Sequence, residues 1–200
     1  EMAADFRAVP VTDRPLRKVG LTGDIYTKNC RLGNRDMVAY LEAHGCEVGL
    51  NGISWYALYY LDTHLDVWPL PVRLGGRALG AWLGRTQRRM LEILQDAGFS
   101  ALPPYRQLKE QARGLAPMSC ALGAGWLMAA EMAGWVRCGY RRVLCCQSFG
   151  CLPGHICARG QYAALQRKLP GSLIVGVDFD PSTGEGTVAS RVRMLLDTEI

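Results

Sequence analysis

No stretch of this sequence stays apolar long enough to cross a bilayer. The longest candidate, ALGAGWLMAAEMAGW at 121–135, contains Glu131 and falls short of the ~20 residues a spanning helix needs. No segment joins a charged start to an apolar run and a small-residue cleavage site, so no secretory signal is legible. A dense basic stripe with interleaved aromatics, as nucleic-acid binding would call for, is also missing. So are a phosphate-cradling glycine loop, any other ATPase signature and any internal repeat. These absences lead us to expect a cytoplasmic protein whose partners are neither nucleic acid nor membrane. The chain starts at Glu1 without an initiator methionine and stops at Ile200 just after an expected helix, which reads as a piece of a longer chain.

What is present fits one sizeable core. The 200 residues are 49% hydrophobic and 20% charged, the balance of a globular domain. The net charge of +5 is spread over helical segments such as RTQRR and YRQLKEQARG, and so reads as a solvated face. Eight cysteines without a secretory signal point to a reducing compartment and free thiols. Cys30, Cys46, Cys120 and Cys138 stand singly and read as small buried hydrophobes.

Residues 1–17 are polar and proline-containing, and read as a leader or extended arm. A single α/β domain is then expected over 18–200. VGLTG gives a first strand, and RDMVAYLEAHG an amphipathic helix with Met37, Leu41 and Ala43 inward and Gly45 at its end. CEVGL gives a second strand. From about 54 to 116 the pattern becomes helical, with Leu79, Trp82, Leu83, Met90, Ile93 and Leu94 at helical spacing, which predicts a helical insertion. Alternation then returns. A helix ends at Gly139, and a strand around Val143–Cys146 is apolar on both faces, as in a sheet covered on both sides. A helix carries Pro153 in its first turn, and a strand covers Ile174–Asp178. The last helix is preceded by a capping-box pattern from Ser182 to Glu185. The sum is an open, mainly parallel α/β sheet of the Rossmann or flavodoxin-like kind, with a helical insertion.

Such sheets collect ligands outside the carboxyl ends of their strands. The polar residues expected there are Asp24 and Tyr26, then Ser148 to His155, then Asp178 and Asp180, with Asn34 nearby. The segment CCQSFGCLPGHIC, 145–157, carries most of the chemistry. A disulfide is its weakest reading. A zinc site would use Cys146, Cys151, His155 and Cys157, but zinc knuckles usually present closely paired cysteines. In the plainest reading Cys145 and Cys146 are core, Gly150 makes a turn and Pro153 starts a helix. Cys151 would then sit at the strand's carboxyl edge, facing the first helical turn, whose unpaired N–H groups favour a thiolate ligand or nucleophile.

The stretch from Gly123 onward, with Gly125-Trp126, Phe149-Gly150-Cys151, Pro153, His155, Asp178, Asp180-Pro181, Arg191 and Leu195, resembles the carboxy-terminal part of the large acyl-CoA dehydratase activase-related proteins. These are relatives of the 2-hydroxyacyl-CoA dehydratase subunits of anaerobic bacteria. VGLTGDIYTKNCRLGNRDMVAYLEAHGCEV is similar to an upstream stretch of the same family, with Asp24 where the family has Glu. Together the two regions cover about half the chain. The resemblance implies an iron–sulfur cluster, a [4Fe–4S] type, with Cys151 as one ligand and the others in segments outside these residues. The isolated chain would then hold no cluster. It also implies that His155, Asp24, Tyr26 and Asp180 line the crevice, and that the chain belongs to a lyase-type system. Cys157, the Cys145–Cys146 pair and STGEG depart from the family pattern, and the insertion matches nothing in it. The alternatives are a non-catalytic binding or scaffold domain of a large multidomain protein, or a zinc-binding domain. Partners expected are the remaining domains of a longer chain and, for a homo-oligomer, a second copy.

Overall fold

The computed structural model describes residues 1–11 and 14–200. Its centre is one sheet of four parallel strands: β1 (Arg17–Gly23), β2 (Cys46–Leu50), β3 (Arg142–Ser148) and β4 (Leu173–Phe179). The strand order is β2-β1-β3-β4, every neighbouring pair is parallel, and Leu21 of β1 lies opposite Leu50 on one side and Leu144 on the other. This is an open parallel α/β sheet of the Rossmann or flavodoxin-like kind.

β3 shows how the sequence covers both faces. Successive side chains of a strand point to opposite sides. Val143 and Cys145 therefore enter one core and Leu144 and Cys146 the other, and all four are fully buried. On the first face lies α7 (Gly125–Arg137), whose residues Gly125–Trp135 are all buried, with α8 (Tyr162–Lys168) beside it. A helix apolar on every side must be enclosed on every side. The outer cover comes from α4 (Ser54–Thr63), α5 (Leu70–Asp96) and α6 (Tyr105–Ala112), through Trp55, Tyr59, Leu91 and Leu108. On the second face, Met37 and Leu41 of α3 (Met37–Ala43) and Val188, Val192 and Leu195 of α9 (Glu185–Asp197) pack on Val19, Leu21, Leu144 and Cys146.

Two glycines on neighbouring strands make room for α7. A Cβ at Gly20 or at Gly49 would come within 2.7 Å of the Trp135 side chain, so the large indole lies directly on bare backbone. Gly23 is required differently. It closes β1 at φ +131°, and a Cβ there would sit 1.8 Å from the Cys146 carbonyl oxygen.

Two local expectations are corrected. Within the segment read as a leader or extended arm, part is helical. Met2–Arg7 is a helix, α1, with no buried residue, and Arg17 already belongs to β1. MAADFR carries good helix formers, with Asp5 early and Arg7 in the last turn, matching the helix dipole. Thr12 and Asp13, also placed in the arm, lie outside the described residues. The capping box before α9 does not form either. Gly184 is the N-cap, and the Ser182 hydroxyl donates instead to the Asp180 carboxylate in the preceding turn. No helix among the described residues is long and apolar enough to cross a membrane.

Candidate functional site

In this strand order the chain leaves β1 towards β2, then crosses back to place β3 on the other side of β1. The carboxyl ends of β1 and β3 therefore flank the switch point, where parallel sheets open a crevice. The segments following these two strands meet there. The Asp24 N–H donates to the Cys146 carbonyl at 3.0 Å, and the Thr27 and Ser148 hydroxyls lie 3.0 Å apart. Asp24 itself caps the short helix α2 (Ile25–Asn29), its carboxylate accepting the Tyr26 and Thr27 N–H groups at 3.0 and 3.1 Å.

After β3, Gly150 makes the turn at φ +74° and the Cys151 N–H returns to the Ser148 carbonyl at 3.1 Å. A π-type turn over Gly154–Ala158 follows, where a simple α-helix was expected. Cys151 is half-buried at the rim, beside the exposed apolar side chains of Phe149, Leu152 and Ile156. His155 folds back over the turn. Its Nδ1–H donates to the Cys151 carbonyl at 2.8 Å, and its Nε2 lies 3.5 Å from Asp178. With both ring nitrogens facing oxygens, His155 fixes the turn and is not placed to take the Cys151 proton. Asp178, from β4, is held three ways: by the Gln147 amide at 2.6 Å, by Arg159 at 2.9 Å, and by His155. Gln147 is fully buried, and its Oε1 has no partner among the described residues.

The remaining expected site residues serve their own loops. Asn34 is buried and ties the Thr27 and Lys28 carbonyls to the Met37 N–H. Asp180 accepts the Ser182 N–H at 2.7 Å, and the Ser182 hydroxyl beside it holds its carboxyl below the usual range. Tyr26 is 64% exposed and its hydroxyl lies beside the Cys30 thiol. That contact, joined by the Gly33 N–H, pulls Cys30 below the ordinary thiol range. Cys30, expected to be a buried hydrophobe, is instead partly exposed, and the donors its loop sets around the sulfur favour the thiolate.

The four residues of the zinc reading do not converge. Cys146 packs with Val19 and α9 on one face of the sheet, and Cys157 packs in the core on the other. Burial raises the Cys146 thiol well above its usual value and pushes Cys145 up to about 12. Burial, with the Cys120 thiol beside it, pushes Cys157 up to about 11. Among the described residues no group of three or more His, Cys, Asp or Glu side chains could hold a metal ion. Of these four residues, only Cys151 could present a thiol to a cluster at the strand-end rim.

Sequence reasoning did not single out Gln147, Arg159 or the buried group beneath α2. There Lys28 and Glu131 pair at 2.8 Å, joined by Asn51 and Thr22. Arg159 follows His155 by four residues, a spacing that places both on one helical face, and this was the local signal for Arg159. An opening of about 730 Å³ lies elsewhere, between α4, α5 and α6. It is lined by Leu61, Gly80, Tyr105 and Arg106, is bridged by the Lys109–Asp62 and Arg77–Asp66 pairs, and includes no strand-end residue. Its lining carries six Arg and Lys residues against three acids and holds no thiol or imidazole, whereas the strand ends bring a thiol, a histidine and a carboxylate together.

No family model, curated protein or solved structure matches this chain.

Proposed function

We propose that this chain is one domain of an iron–sulfur-dependent protein of the 2-hydroxyacyl-CoA dehydratase or dehydratase-activase-related kind, acting in a reducing cytoplasm. Cys151 supplies one thiolate to a cluster whose other ligands come from elsewhere in the protein. The observation that carries this reading is the position of Cys151: a half-buried thiol just past the carboxyl end of β3, beside the β1/β3 switch point, in a turn whose Phe149, Leu152 and Ile156 are all more than half exposed. Exposed apolar side chains in a group mark a surface that something covers. A second domain seated there would bring its own cysteines to the same edge and exclude water from the site. Bound there, the cluster would supply one-electron chemistry. The chain's own groups do simpler work: the Asp178–Arg159–His155 set fixes the turn, and Gly150 sets the direction in which the thiol projects.

Anaerobic reconstitution of the full-length protein tests this. A brown chromophore with bound iron and sulfide is expected, and Cys151→Ser is expected to lose iron and change the visible spectrum. Unchanged iron content and spectrum in that variant would remove Cys151 from the ligand set. One feature favours a second reading, a non-catalytic binding or scaffold domain: His155, Asp178, Asp24 and Asp180 are all committed to internal partners. A full-length protein that takes up no iron but still binds a partner at the Cys151 edge would select it.

A further inference from the structure

We propose that the opening between α4, α5 and α6 binds a free single-chain amphiphile, a phosphate monoester on a linear apolar chain. The site is separate from the strand-end rim and does not depend on the cluster reading. Its volume, about 730 Å³, is that of a small-molecule pocket. α4 runs back along α5, and three glycines bring the two segments together. A Cβ at Gly84 or Gly80 would come 3.9 Å from Leu58 or Leu61, and one at Gly76 would come 2.5 Å from Leu65, just after α4. These residues give the opening an apolar floor that follows the helix axis for about 12 Å, from Gly84 to Gly76. A floor of that shape suits an extended chain better than a ring.

The walls select the head. Six Arg and Lys residues line the opening against three acids, and each acid is taken: Asp66 by Arg77, Asp62 by Lys109 and Glu110 by Arg113. Arg88 lies 3.9 Å from Glu92. Arg85 and Arg106 are left with no acidic partner among the described residues. Both belong to the same end of the opening. Arg85 follows Gly84, and Arg106 follows Tyr105, whose N–H donates to Gln87 at 2.9 Å. Two guanidiniums at one end, over an apolar floor that leads away, match a doubly charged head with a chain behind it. A phosphate monoester carries that charge near neutral pH. At the other end the Arg77–Asp66 pair is already neutralised, so the ligand has one charged end. A membrane surface fits less well. The Lys109–Asp62 pair joins α6 to α4 at the opening, so a chain enters singly and not as part of a lipid sheet.

Isothermal titration calorimetry of the protein with dodecyl phosphate, kept below its micelle concentration, is expected to show one saturable site. Inorganic phosphate, which lacks the chain, and dodecyl maltoside, which lacks the charge, are each expected to bind ~tenfold or more weakly. Arg85→Ala and Arg106→Ala, at exposed positions, are each expected to weaken dodecyl phosphate ~tenfold or more. Gly80→Leu fills the floor while replacing a mid-helix glycine with a better helix former, and is expected to abolish binding without lowering the melting temperature. The inference falls if dodecyl phosphate does not bind, or if either partial probe binds as tightly. It falls equally if any of the three variants binds dodecyl phosphate as the wild type does. Pelleting of the protein with phosphatidate-containing vesicles, undiminished by Gly80→Leu, would show a lipid-surface site instead and would overturn it too.

Discussion

Lys28 is 4% exposed and Glu131 1%, yet neither is short of partners. The Lys28 ammonium meets both Glu131 oxygens at 2.9 and 2.8 Å and Asn51 at 3.0 Å, while Thr22 and Asn51 donate to the same carboxylate. A buried pair so fully bonded is tolerated, but removing one member strands the other's charge. Glu131→Gln is therefore expected to cost ~3–5 kcal/mol in urea unfolding, and Lys28→Met combined with Glu131→Leu markedly less. A loss below about 1 kcal/mol for the single variant would mean that water reaches the site and that the pair does not pin α2 to α7. The thiols give a second prediction at this scale. Cys30 is held low by the Tyr26 hydroxyl and the Gly33 N–H, whereas burial raises Cys145 to about 12 and Cys157 to about 11. In the folded protein at neutral pH, iodoacetamide should label Cys30 well before Cys145 or Cys146. The raised thiols also set the sign of the pH dependence. Their stabilisation is complete below the unfolded thiol value of ~8.5 and is lost as pH climbs from there towards their folded values. Melting temperature should hold steady up to about that pH and fall above it; a flat profile to pH 11 would contradict the burial of these groups.

At the scale of elements, legibility followed range. β3 could be read because its four consecutive apolar residues state in one dimension that both faces are covered. α3 and the segments of the insertion could be read from periodicity, and the turn before Cys151 from Gly150 and Pro153. Carboxylates were harder. Asp24, Asp178 and Asp180 looked alike at strand ends, but Asp24 and Asp180 serve N–H groups two or three residues on, a demand already visible in the local sequence. Asp178 instead binds Gln147 and Arg159, thirty-one and nineteen residues away, which no local pattern states. The π turn escaped for a similar reason. Gly154 lies against Gln147, where a Cβ would come within 3.0 Å of its Oε1, so the turn is shaped by a neighbouring strand. The Lys28–Glu131 pair spans 103 residues and was invisible for the same cause, although Glu131 interrupting an apolar helix was itself a sign that a partner was needed.

For the whole molecule, the decisive asymmetry is between the sheet and the far end of the insertion. β1 and β3 are the central strands, bonded on both edges and covered on both faces, and their opening requires the two cores to separate. α5 is anchored mainly near its carboxyl end, through Leu91, with Gln87 bonded to Ser54 and to the Tyr105 N–H. Its first half, from Leu70 to Gly84, has no buried residue. Native-state opening follows buried contacts, so amide exchange should be slowest in β1, β3 and α7 and much faster over the first three turns of α5. Exchange over the first half of α5 as slow as that of β1 would mean that further buried contacts hold this half, and would contradict the ranking.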